Sequence, residues 1–127
     1  MEEHHHHEDL IKKITEQMRP VLEKSEQAVY IYLDDNHKVC NKKIADLLGY
    51  KSPKEWAELD APLADVVEED QQRVIDAYMN ASEKMAASGI EVRVKNVKTG
   101  KNVKTRMIIA PVAHDGHVFT AHYLSKI

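Results

Sequence analysis

Residues 39–50 read VCNKKIADLLGY, and the way this stretch divides decides the fold. Asn41 carries a side-chain oxygen able to cap the free amides of a helix running from Lys42 to Leu48. Such a helix places Ile44, Leu47 and Leu48 at i, i+3 and i+4, one buried face, and Gly49 ends it in the left-handed conformation. HKVC before it makes a short strand, so the stretch is a strand-to-helix junction. Cys40, the single cysteine, would need an adjacent base and a depressed pKa to act as a nucleophile. Beside Val39 on a short strand it reads better as a small apolar filler.

Upstream, AVYIYLD at 28–34 sets Val29, Ile31 and Leu33 against Tyr30 and Tyr32, as in a strand covered on both faces. DDNH turns it into the HKVC strand, forming a hairpin. Downstream, Ser52 and Pro53 start a short helix that carries Trp56. The longest helix is expected from about residue 68 to 88, with Val74, Tyr78, Ala81 and Met85 on one face, widened by Ile75 and Met79, and Gly89 as its stop.

Three strands follow. Ile90, Val92 and Val94 alternate with Glu91, Arg93 and Lys95, the pattern of a half-exposed edge. The strand VKTRMIIAPVAH is joined by the two-residue turn Asp115-Gly116 to HVFTAHYLS. In that hairpin Ile108, Ala110 and Val112 align with Phe119, Ala121 and Tyr123, while Met107, Ile109, Ala113, Val118 and Leu124 occupy the other face. Both faces are apolar, so both require cover. Trp56, Tyr78, Met79, Ile108, Phe119 and Tyr123 are expected to converge between helices and sheet, as core or as the wall of an adaptable pocket.

At the N-terminus, residues 8–26 are amphipathic. Leu10, Ile14, Met18, Val21 and Leu22 form one stripe, and Pro20 predicts a kink after residue 18. This stripe must cover either the back of a sheet or a second copy of the chain. Residues 1–7 read as a polar tail, and the run His4–His7 as solvated or as a shortened purification tag in preference to a metal site.

The whole chain has 127 residues, enough for one domain, with a net charge of −3 and both signs interspersed. That balance gives no electrostatic footprint for nucleic acid. No apolar run reaches the roughly 20 residues needed to span a membrane, and no secretory signal opens the chain. A cytoplasmic protein is expected, in keeping with one unpaired cysteine. His114 and His117, flanking the Asp115-Gly116 turn, make a weak metal pair without a predictable third ligand, and His122 falls on the opposite face. The paired acids Asp34-Asp35 and Glu68-Glu69-Asp70 suit a turn and a helix's first turn. No nucleophile elbow or phosphate-cradling loop appears, so no enzyme is expected.

With these elements in order, the sequence resembles a PAS domain over about residues 27–125, within a domain of residues 27–127. NKKIADLLGYKSPKEW is similar to the family's Asn-initiated helix and Gly-Tyr turn, and VVEED to the acidic entry into its long helix. GIEVR with KTG resembles its third strand and turn, and PV with DGH its final hairpin. The resemblance implies an α+β fold with a five-stranded antiparallel sheet of order 2-1-5-4-3, connecting helices on one face and a flanking N-terminal helix. It also implies a sensory or interaction module that holds a small ligand between long helix and sheet, and a homodimer formed through Leu10, Ile14, Met18, Val21 and Leu22. The cofactor is unknown. Haem is disfavoured because residues 68–88 lack a histidine, and covalent flavin because residues 51–66 lack a cysteine. With no output domain after the last strand, the module is expected to act on a signalling protein in trans, or the chain is an excised domain. The alternatives are a ligand-free interaction module with a solid core and, last, a small α+β enzyme.

Overall fold

The computed structural model describes residues 2–127, with side chains from residue 6 onward. Helix α1 (Glu2–Gln17) is followed by the short α2 (Arg19–Lys24), with the break at Met18 and Pro20 in the first turn of α2. Proline has no amide hydrogen to give, so it fits a helix start and not a helix interior. The kink thus falls where expected, but the helix begins earlier. His4–His7 lie within α1; the side chains of His4 and His5 lie outside the described residues.

Strands β1 (Ala28–Asp34) and β2 (His37–Cys40) form the first hairpin, and α3 (Lys42–Leu48) and α4 (Pro53–Ala57) follow. The caps are the ones legible in the sequence. Asn41 accepts from the Ile44 amide and Ser52 from the Glu55 amide, and Gly49 closes α3 at φ +84°. Only glycine adopts that angle freely. A 3-10 turn at Glu68–Asp70 leads into α5 (Gln71–Lys84).

The long helix is shorter than expected. Met85 ends it at φ 54°, and Gly89 is no helix stop but part of β3 (Ser88–Lys95), opposite Ile108. Pairing with β4 (Asn102–His114) draws Ser88 and Gly89 into the sheet, a tertiary demand that helix periodicity does not contain. The last strand is β5 (His117–Lys126), and the antiparallel order is β2-β1-β5-β4-β3.

The sheet separates two cores. On the inner face Tyr30, Met107, Ile109 and Leu124 pack with Ile44, Leu48, Trp56, Val74 and Ala81 from the helices. On the outer face Val29, Ile31, Phe119 and Ala121 pack with Leu10 and Ile14 of α1. Fully burying a Leu or Ile contributes about 1.5–3 kcal/mol, so these two residues fasten α1 as a layer of the domain. Of the two roles open to the N-terminal stripe, cover of the sheet is the one the chain fulfils by itself.

The last hairpin has the expected register, Ile108 with Tyr123, Ala110 with Ala121 and Val112 with Phe119. That row, however, faces α1. Alternation fixes which residues share a face without telling which face α5 covers. Phe119 and Tyr123 therefore belong to the outer cluster, and Ile108, beyond the reach of α1, is 42% exposed. Among the described residues no helix is long and apolar enough to cross a membrane.

Candidate functional site

A cavity of about 250 Å³ lies between α5 and the inner sheet face, closed at one side by the segment Pro62–Asp65. Tyr30 and Tyr32 of β1 and His122 of β5 form its floor, Val74, Ile75 and Tyr78 of α5 its roof, and Leu63 and Val66 its side. Strand alternation puts Tyr30, Tyr32 and His122 on this face because their neighbours Val29, Ile31 and Ala121 point to α1.

The floor is an aromatic chain. Tyr30 stacks on His122 at 4.0 Å between ring centroids, nearly parallel, and meets Trp56 at 4.9 Å. Tyr32 meets Tyr78 edge-on at 5.5 Å. Edge-to-face and offset contacts of this kind follow the ring quadrupoles and hold the rings in fixed orientation. At the rim the Tyr32 hydroxyl donates to Asp35 Oδ1 at 2.7 Å.

His122 is the polar centre of the cavity wall. Its Nε2 lies 2.9 Å from the Thr120 hydroxyl, and its buried Nδ1 has no partner among the described residues. Burial lowers its pKa to about 3, so the ring is neutral near neutral pH. A neutral imidazole with one nitrogen engaged offers the other to a small molecule as donor or acceptor, according to tautomer. Burial likewise raises the pKa of the Tyr30 hydroxyl, so it remains protonated.

The residues expected to make the pocket divide. Tyr78 lines the cavity. Trp56 is fully buried in the inner core and touches the floor through Tyr30. Met79 is 44% exposed, on the side of α5 away from the sheet. Ile108, Phe119 and Tyr123 lie across the sheet from the cavity. The residue that sequence reasoning passed over is His122. Its signal was present, since it shares the face of Met107, Ile109 and Leu124, where an imidazole is out of place among aliphatic residues.

Two supports hold the cavity's frame. Lys38, buried beside the Trp56 ring at 5.4 Å, donates to the carbonyls of Asp35, Ala57 and Leu59, and thereby pins β2 to the end of α4. Asp70, at the entry to α5, accepts from the Arg93 amide at 2.8 Å and its Nε at 2.9 Å, and also pairs with Arg73. These bonds hold its carboxyl pKa down to about 2. Cys40 is buried, and burial pushes its thiol up to about 12, the reverse of what a nucleophile needs. His114 and His117 face one another across the Asp115-Gly116 turn, at the end of the outer face.

No family model matches the sequence, and no curated protein matches it. Solved structures do. A PAS domain from a two-component sensor histidine kinase superposes with a TM-score of 0.66 at 11% identity, over 91% of this chain and 98% of its own. A PAS domain from Colwellia psychrerythraea gives 0.68 at 18% identity, over 90% and 97%. The Rhodobacter sphaeroides LOV protein gives 0.72 at 15% identity, over 91% of this chain and 68% of its own. At such identities the likeness speaks for the fold, and the fold is that of a PAS domain.

Proposed function

We propose that this chain is a sensory module of signal transduction that binds a small molecule in the cavity between α5 and the sheet. The observation that carries the reading is the unpartnered Nδ1 of His122 in the wall of a cavity that is lined mainly by apolar and aromatic side chains, with Asp35 at the rim. A buried polar nitrogen left without a bond costs about 1–3 kcal/mol, which a ligand with a matching donor or acceptor recovers. The size suits a small molecule, and the aromatic floor favours a planar one. The structural neighbours named above, among them a domain of a sensor histidine kinase, support a sensory role.

In this reading the signal passes to a second copy of the chain and to a partner protein in trans, within the cytoplasm. Leu10 and Ile14 are covered by the chain's own sheet, whereas Met18, Val21 and Leu22 at the α1–α2 kink are only half-buried. The kink is therefore the part of the stripe that contact between copies would use. No step of the reading needs catalysis.

Native mass spectrometry of the purified chain, set against its denatured mass, tests the ligand. A small molecule retained by the native protein, or captured from a metabolite extract and lost in His122→Phe, supports sensing. An empty cavity that takes nothing from such an extract points instead to a ligand-free interaction module.

A further inference from the structure

Four imidazoles and a carboxylate from separate pieces of the chain meet at one end of the outer sheet face. His7 comes from α1, Asp34 from the end of β1 and His37 from the start of β2, and His6 and His117 flank them. The Nδ1 of His7 lies 2.8 Å from Asp34 Oδ2, and the Nδ1 of His37 lies 2.6 Å from Asp34 Oδ1. One carboxylate thus engages two imidazoles, one with each oxygen. The ring of His117 stands 6.0 Å from that of His7 and 4.9 Å from that of His6.

We propose that His7, Asp34 and His37 bind a divalent transition-metal ion of the zinc type, with His117 or water completing the coordination. Two imidazoles and one carboxylate are ligands such ions favour, whereas magnesium and calcium take oxygen almost alone. The three ligand atoms lie within 4.8 Å of one another, so small side-chain shifts bring all three to one ion. Around a tetrahedral ion with bonds of about 2.1 Å, ligand atoms stand about 3.4 Å apart. The two His–Asp contacts need open by less than about 1 Å to reach that spacing. The ion then takes the place of two hydrogen bonds, and each neutral ring carries its proton on Nε2.

The surroundings suit a held ion. The side chain of His37 is 7% exposed and that of His7 22%, so the site is partly shielded from water. The Asn36 amide donates to Asp34 Oδ1 at 3.0 Å and orients the carboxylate from behind. Because the ligands come from α1 and from the β1–β2 hairpin, an ion here fastens the N-terminal helix to the sheet. This proposal is independent of the cavity on the other face.

Titration of the full chain with zinc alone, followed by calorimetry, and with cobalt(II), followed by its visible spectrum, tests the site. One ion is expected to bind, with the intense absorption of tetrahedral cobalt. Asp34→Asn and His37→Gln should each weaken zinc by about ten-fold or more, while a His4→Ala, His5→Ala double variant leaves it within about two-fold. Circular dichroism checks each variant's fold, and if His37→Gln does not fold, His7→Ala and Asp34→Asn decide. Zinc affinity unchanged by Asp34→Asn and by His37→Gln or His7→Ala, or abolished by the His4, His5 double variant, overturns the proposal, because the histidine run alone would then be the chelator.

Discussion

The Oδ1 atom of Asn41 accepts the amide of Val29 on β1 at 3.1 Å, while it also caps α3 through the Ile44 amide at 3.2 Å. The Nδ2 of the same side chain donates to the Gln27 carbonyl at 3.0 Å. One buried residue therefore ties the start of the first strand to the start of the first connecting helix. Asn41→Ala loses the cap and leaves a buried strand amide without its acceptor. We expect it to cost about 2–3 kcal/mol in urea denaturation, and Asn41→Asp, which keeps the acceptor, to cost less.

How much of this was legible divides along physical lines. The cap, the glycine stop at Gly49, the Ser52-Pro53 helix start and the Asp115-Gly116 hairpin are local chemistry, and all stand where the residues place them. The register of the last hairpin was also legible, because side chains alternate. What was not legible is which side of the sheet each helix covers, since both faces of the last hairpin carry apolar residues. That single ambiguity moved Phe119 and Tyr123 to the wrong side and hid His122. The group His7, Asp34 and His37 joins residues up to 30 positions apart, and no spacing within a motif announces it.

Gly49 is fixed by space as well as by angle. A Cβ there would overlap Asn96 Oδ1 and come within 2.7 Å of the Lys98 amide nitrogen. Asn96 is itself held by the Leu47 carbonyl at 3.1 Å, so it cannot simply turn aside. Gly49→Ala is expected to lower stability by about 2 kcal/mol or more, whereas Gly89→Ala, with open space around its Cβ, changes it little. Thermal melts of the two variants side by side give the comparison.

The N-terminal helix is part of the fold's stability. Ile14→Ala removes a side chain that is 1% exposed, against Val29, Ile31 and Phe119. The expected cost is about 2–4 kcal/mol, and Ile11→Ala, on a half-buried position, should cost clearly less. Ile14→Asp should go further, freeing α1 and exposing the outer sheet face to a hydrophobic dye. A dye response no greater than that of the unmodified chain would count against α1 as a layer of the domain.

Acid should weaken the fold in two steps. His122 is neutral when folded, with its pKa lowered from 6.5 to about 3 by burial. Its contribution is complete above pH 6.5 and is lost as pH falls towards 3, because the unfolded chain takes up the proton first. The Asp70 carboxyl, lowered from 3.8 to about 2 by Arg93, adds stability that is present above pH 3.8 and is lost towards 2. Urea midpoints measured from pH 7 to 3 should fall for the unmodified chain, and His122→Phe should flatten the upper part of that slope alone.

The cavity over Tyr30, Tyr32 and His122 is proposed to receive a small molecule. The most direct measurement is native mass spectrometry of the full chain after exposure to a metabolite extract, in parallel with Val74→Phe, which fills the cavity from α5. A discrete added mass is expected on the unmodified chain, released on denaturation and absent from Val74→Phe and His122→Phe. No added mass on the folded, unmodified chain, or the same added mass on all three proteins, would contradict it.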